Sequence, residues 1–183
     1  ELFMYVNELA KQRGVDPRDD IVTKLINAEV DGDRLTEFEF DMFMMLLTVA
    51  GNETTRNTTS WGMWALMQNL DQYAALAGDI DGKLDHAIEE ILRWATPVYH
   101  FRRTATVDTA IHGQEIKAGD KVVIWHISAN RDEQVFSDPY RFDIERWPNE
   151  HIAFGGGGQH FCLGANLARM ELKLIFREIL ERI

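Results

Sequence analysis

Cysteine is nearly missing from this sequence: Cys162 is the only one in 183 residues. No disulfide can form within the chain, which suits a reducing, cytoplasmic setting. Long apolar runs are missing too. The longest, Met42 to Ala50, is interrupted by Thr48 and falls far below the ~20 residues that cross a bilayer. No basic-then-apolar leader pattern is present, so no membrane anchor is expected in this chain. Positive charge is scarce. With 19 Lys and Arg against 30 Asp and Glu, the net charge of −11 would repel a phosphate backbone. Nucleic acid is excluded as a partner on that ground, leaving a small molecule or a protein. There is no internal repeat, low-complexity tract or linker, and 45% hydrophobic content is enough for one sizeable core.

What is present reads mostly as helix. Leu2, Val6 and Leu9 recur at helical spacing over residues 1–13, the turn-rich stretch 14–20 ends that helix, and residues 20–29 form a second, short one. After a turn at Asp31-Gly32-Asp33, Thr36-Glu37-Phe38-Glu39 has the form of a capping box and starts the longest helix, to about Asn69. That helix would span ~50 Å at ~1.5 Å per residue. Its first half, Phe38 to Ala50, is apolar on nearly every side, the pattern of a helix running through a protein's centre. Residues 71–95 give two more helices. From Arg103 to Ile127 apolar and polar residues alternate between turns at His112-Gly113 and Ala118-Gly119-Asp120, which predicts a small antiparallel sheet. Residues 165–182 return to helix. The fold class is therefore mainly α with a small antiparallel β-sheet. Both ends look cut inside amphipathic helices, and a fragment is expected.

Cys162 lies at the end of Phe154-Gly155-Gly156-Gly157-Gly158-Gln159-His160-Phe161-Cys162-Leu163-Gly164, directly ahead of the last helix. A thiolate has to be held ionised, and backbone N–H groups with the positive end of a helix do this. Glycine lets the main chain approach a flat macrocycle closely. The loop lacks the Gly-Lys-Ser/Thr ending of a phosphate cradle, and His160 stands where a dinucleotide fingerprint needs its third glycine. A lone cysteine is ordinarily a small buried hydrophobe, and ligation of haem iron by Cys162 becomes the leading reading once the accompanying segments are counted.

Three further segments accompany the loop: Ala50-Gly51-Asn52-Glu53-Thr54-Thr55 in the long helix, Glu90-Ile91-Leu92-Arg93, and Phe142-Asp143-Ile144-Glu145-Arg146. In this order and spacing they resemble the cytochromes P-450, the haem-thiolate monooxygenases. The resemblance covers essentially all of residues 1–183, yet matches only the C-terminal half of a family member. It implies a single haem-binding domain fragment, the C-terminal part of that fold, without the family's N-terminal half. Residues 50–57, Arg93-Trp94-Ala95-Thr96-Pro97 and Gly164-Ala165-Asn166-Leu167-Ala168-Arg169 are most similar to bacterial enzymes that hydroxylate sterol side chains and methyl-branched lipids. One departure stands out. The aromatic residue usually seven positions before the cysteine is here Phe154, eight before, with Gly155 at the seventh. The loop carries one extra residue, a lengthening that points to the sterol-type group.

The resemblance implies roles for particular residues. Cys162 is the metal ligand; Phe154, Gly155, Gly157 and Gly164 shape its loop, and Ala50 and Gly51 meet the haem from the long helix. Glu53 and Thr54 are the acid-alcohol pair that relays protons to bound dioxygen. Arg103 and His160 match the partners of the haem propionates, where cationic donors neutralise carboxylates. Glu90, Arg93 and Arg146 form a structural ion triad. Met45, Leu46, Val49 and Ala50, with Val98, Tyr99, His100 and Phe101, are expected at the substrate, although plain core explains each of them as well. His100, His126 and His151 read as surface or core histidines rather than ligands. The implied cofactor is haem b, with dioxygen as co-substrate and electrons coming ultimately from NAD(P)H. The implied partner is a ferredoxin-type protein with its reductase. Arg169, Lys173 and Arg177, at i, i+4 and i+8, would give that partner a basic stripe, although solvated helix charges explain it too. The implied activity is hydroxylation of an unactivated C–H bond of a sterol side chain or related lipid. Alternatives are a haem-thiolate peroxygenase or isomerase acting on a terpenoid or fatty acid, and a non-catalytic fragment unable to hold haem alone.

Overall fold

Val6 and Val22 face a common interior with Phe40, and this small apolar cluster organises the first 53 residues. The computed structural model describes all residues, 1–183. Its contacts divide the chain into two compact units, residues 1–53 and 54–183. In the first, α1 (Leu2–Val15) and α2 (Ile21–Ile26) pack through Val6, Leu9, Val22 and Leu25. Asp20 caps α2 by accepting the Thr23 N–H at 2.8 Å and also pairs with Arg13. The second helix is shorter than the sequence suggests. Asn27 ends it, and residues 29–34 instead form a two-stranded hairpin of β1 (Glu29–Val30) and β2 (Asp33–Arg34). The cause is the turn: Asp31 and Gly32 both take positive φ, 53° and 88°, which closes a tight hairpin and pulls its flanks out of helix.

The longest helix, α3 (Glu37–Gln68), begins as its capping box requires. The Glu39 N–H donates to the Thr36 hydroxyl at 3.2 Å while the Thr36 N–H donates to the Glu39 carboxylate at 2.8 Å. Its first half differs from the expected central helix. Phe40 is buried, but Phe38, Leu46 and Val49 are exposed, Leu46 by 60%. Too few apolar partners exist in residues 1–53 to cover every side of so apolar a segment.

The second unit is built on three helix faces. The C-terminal half of α3 brings Ala65 and Leu66; α5 (Ile80–Ala95) brings Leu84, Ile88, Ile91 and Leu92; α7 (Ala165–Arg182) brings Leu172 and Phe176. Gly62 is where they meet. A Cβ there would lie 2.5 Å from Ile91 Cγ2 and 2.8 Å from Phe176 Cζ, so only glycine allows this approach. Between these helices come α4 (Leu70–Gly78), three-residue strands β4 (Thr109–Ile111) and β5 (Gln114–Ile116), and the longer pair β3 (His100–Thr104) and β6 (Lys121–Trp125). β3 and β6 run antiparallel with Arg103 opposite Val122, and a short α6 (His126–Ala129) follows. The predicted sheet is thus two separate two-stranded ladders, β3 with β6 and β4 with β5. No helix is long and apolar enough to cross a membrane.

Candidate functional site

Two adjacent glutamates near the C-terminal end of α5 organise everything around Cys162. Glu90 and Arg93 share a helix face and are wholly buried, their side chains at 0% exposure. They pair through both carboxylate oxygens, at 2.7 and 2.8 Å. Glu90 further accepts from Arg146 Nε at 3.2 Å, Asn149 Nδ2 at 3.0 Å and the Asp143 N–H at 3.0 Å. Arg93 spends its other donors on the carbonyls of Asn130, Pro139 and Arg141, and Arg146 donates to those of Ser137, Asp138 and Arg141. The structure therefore brings Glu90, Arg93 and Arg146 together, and uses them to fix the irregular segment 130–149, where few helical or strand hydrogen bonds exist. Two buried charges with all lone pairs and protons satisfied avoid the penalty of an unpaired one.

Glu89, one residue earlier, holds the cysteine loop from both sides. Arg169, in the first turns of α7, donates to its two oxygens at 2.7 and 2.9 Å. His151, ahead of the loop, meets it through Nε2 at 3.0 Å. His151 Nδ1 accepts the Ala153 N–H at 3.2 Å, which leaves Nε2 as the protonated, donating nitrogen. Phe154 lies beside these groups, with the Arg169 guanidinium 4.6 Å from its ring centre. The carbonyl of Phe154 accepts the Cys162 N–H at 3.0 Å. Burial on its own pushes the Glu89 carboxyl up, but hydrogen bonds from His151 and Arg169 and the Arg169 charge outweigh it and hold the group at about 2. The Glu89 bond raises Arg169 above its ordinary value, with the nearby Cys162 adding to the effect.

The loop itself turns on glycine. Gly155, Gly157 and Gly158 all have positive φ, and a Cβ at 156, 157 or 158 would meet no atom within 4 Å. Cys162 is exposed, as are its neighbours Phe161 and Leu163, the latter by 80%. Gly164 caps α7, and a Cβ there would come within 4.0 Å of the Cys162 sulfur. An open apolar surface with one sulfur donor at the start of a helix suits a planar, hydrophobic, iron-bearing group. The residues present fit haem on that chemistry.

Other sequence-derived positions are less closely grouped. Arg103 lies on β3, exposed, its guanidinium 5.7 Å from the Phe101 ring centre and donating to the Arg102 carbonyl. His160 is exposed in the glycine loop. Val98 is half-buried, and Tyr99, His100 and Phe101 are exposed along the start of β3. Met45, Leu46, Val49, Ala50 and Gly51 are exposed on the first half of α3. Glu53 closes the first unit and Thr54 opens the second. The Thr54 carbonyl accepts the Thr58 hydroxyl at 2.8 Å, the first of three successive such back-bonds, continued by Thr59 and Ser60.

One expectation is corrected. The basic stripe of α7 is engaged with acids of α5 rather than free: Arg177 with Asp81 at 2.6 Å, Lys173 with Asp85 at 2.7 Å, and Arg169 with Glu89. Helical spacing revealed the bases, but their matching acids sit 80 to 96 residues earlier, at the same spacing in the opposite direction. Sequence reasoning also missed Glu89, His151 and Asn130. The doubled Glu89-Glu90 and a histidine three residues before Phe154 were the signals available. Asn130 links the two networks, accepting the Ile152 N–H through Oδ1 at 2.8 Å and donating to the Thr96 hydroxyl at 2.9 Å.

A family model described as Cytochrome P450 matches residues 4–183. The chain is 51% identical over 175 residues to the methyl-branched lipid omega-hydroxylase of Mycobacterium tuberculosis, covering 96% of this chain and 41% of that protein. It is 49% identical over 183 residues to the steroid C26-monooxygenase of Mycolicibacterium smegmatis, covering 100% of this chain and 42% of that one. Among solved structures, a Mycobacterium marinum cytochrome P450 in complex with pseudoionone superposes with a TM-score of 0.96 at 50% identity, over 100% of this chain and 44% of its own. The chain spans about two fifths of the length of the curated relatives it matches.

Proposed function

The chain belongs to the cytochrome P450 family, and from that premise we propose that it is the cysteine-ligating part of a haem-thiolate monooxygenase that hydroxylates an unactivated C–H bond of a sterol side chain or methyl-branched lipid. The observation that carries this reading is Cys162: the chain's only thiol, exposed at the start of α7 on a glycine loop whose geometry α5 and Phe154 hold. Haem b, when bound there with electrons from NAD(P)H, supplies the activation of dioxygen. The chain's own residues do the rest. The Phe154 carbonyl fixes the Cys162 backbone at the approach to α7. Glu53 and Thr54 carry protons inward from solvent, the carboxylate taking them up and the hydroxyl passing them on. Arg103 and His160 supply cationic or donor groups for the two propionates. In the first unit Met45, Leu46 and Val49 are exposed and apolar; in the second, Tyr99 and Phe101 are exposed beside the half-buried Val98; each set is of a kind that suits a sterol or branched chain.

The relatives' names, a lipid omega-hydroxylase and a steroid C26-monooxygenase, support the substrate class. A ferredoxin-type protein with its reductase is the electron donor in this reading, though the paired bases of α7 do not offer it a free cationic row. The lone thiol, used as a ligand, favours the cytoplasm. The test is the carbon monoxide difference spectrum of the reduced, haem-loaded protein. A red-shifted thiolate-type band that is lost in Cys162→Ala is expected. A folded, haem-loaded protein without that band, or one that keeps it in Cys162→Ala, would overturn the assignment.

A further inference from the structure

Glu89 is not needed for the fold in the way Glu90 is. It is a quarter exposed, and the meander 130–149 is held without it. Yet it reaches both flanks of the cysteine loop at once, His151 on the approach and Arg169 on α7. Both groups lie against Phe154: the His151 ring centre is 6.2 Å from that of Phe154, and the Arg169 guanidinium lies over the Phe154 ring at 4.6 Å. Phe154 in turn holds the Cys162 N–H through its carbonyl and packs edge-on to Phe161. A continuous set of contacts therefore runs from one carboxylate to the backbone of the sulfur ligand.

We propose that Glu89, with His151 and Arg169, is a positioning cluster that clamps Phe154 and thereby keeps Cys162 in its ligating position. The inference rests on the assignment of Cys162 as the haem ligand and adds to it a residue that touches neither sulfur nor haem. His151 has its tautomer fixed by the Ala153 N–H, so it serves as a directed donor to Glu89. Arg169 does two things: it closes the clamp, and it keeps a positive charge beside the thiolate. Groups that orient a metal ligand from behind commonly cost about 10- to 100-fold in affinity or activity when removed.

The experiment follows the thiolate-type carbon monoxide band of the reduced, haem-loaded protein over time in Glu89→Gln, Arg169→Lys, His151→Leu and His151→Gln, beside the unfolding midpoint of each. Glu89→Gln and His151→Leu are expected to lose the band about tenfold faster than the parent. His151→Gln, which keeps a donor to Glu89 and an acceptor for Ala153, is expected to restore persistence to within about twofold of the parent. Arg169→Lys keeps the charge but loses the two-pronged grip, and is expected to fall between them. A merely structural role would lower persistence only in step with the midpoint, and would make no distinction between His151→Leu and His151→Gln at equal midpoints. Either result, or a band that persists in Glu89→Gln as in the parent, overturns the clamp. If Glu89→Gln does not fold, the two His151 variants decide alone. A parent without the band removes the Cys162 assignment and the clamp with it, whereas a parent with the band and unaffected variants removes only the clamp.

Discussion

Segment 130–149 and the loop 154–164 are both irregular, and both hang from neighbouring glutamates of α5, yet they are finished to different degrees. The first is closed: its carbonyls receive the donors of Arg93 and Arg146, and Glu90 and Arg93 have no exposed surface. The second is tied at its base by Phe154 and left open at its tip, where Gly156 to Leu163 are exposed. A scaffold that has to fold before any ligand arrives needs internal satisfaction of its polar groups. The loop does the reverse, with glycines turning the chain at positive φ and the sulfur of Cys162 left uncovered. The difference teaches that burial of charge here serves rigidity, while the tip of the glycine loop is left accessible.

The contrast can be broken most sharply at Arg93. Arg93→Ala leaves Glu90 buried beside an emptied site and is expected to cost about 3–5 kcal/mol in denaturant unfolding, enough to abolish a marginal fold. A loss below about 1 kcal/mol would mean that the segment is not held by this network. Asn130→Ala tests the link between the two regions. It strands the Ile152 N–H and removes the donor to the Thr96 hydroxyl, which keeps its bond to the Arg93 carbonyl, and an unfolding measurement should report a loss of about 1–3 kcal/mol.

Acid sharpens the comparison through Glu89. Its folded carboxyl, held at about 2, lies below the ordinary 4.5, so its contribution to stability is fully present above about pH 4.5 and is lost as pH falls through about 2. Stability measured across pH 5 to 2 should fall less steeply in Glu89→Gln than in the parent. The smallest effect is expected at the tip of the open loop. Cys162→Ser should change unfolding free energy by no more than about 0.5 kcal/mol while abolishing the thiolate-type spectrum. A large destabilisation there would show that the loop, too, is part of the scaffold.

Much of this was legible in the residue order. The capping box at Thr36 set the start of α3, and local chemistry of that kind needs no partner from elsewhere. The glycine run beside Cys162 marked an irregular, open loop, and Glu90, Arg93 and Arg146 stood out by likeness. What stayed hidden is non-local. The acids that neutralise Arg169, Lys173 and Arg177 lie far off in the chain, and periodicity within α7 cannot reveal them. His151 and Glu89 gained meaning only when α5 brought them 3.0 Å apart. The β1–β2 hairpin was missed because the stop signal of Asn27 was passed over and residues 27–29 were read as helix; the positive φ of Asp31 and Gly32 closes the hairpin beyond it.

The three ion pairs joining α5 to α7, Asp81 with Arg177, Asp85 with Lys173 and Glu89 with Arg169, repeat every four residues along both helices. Such a ruler is ambiguous. Slide α7 by one turn, ~5.4 Å, and two of the three pairs can form again with new partners, so charge alone would tolerate the wrong mark. The notch at Gly62 removes that freedom, because Phe176 is seated where any side chain on α3 would stand and Ile91 closes the other side. The height at which Cys162 is presented, at the near end of α7, is thus read off a ratchet whose one tooth is an aromatic ring and whose one gap is a missing methyl group on a different helix.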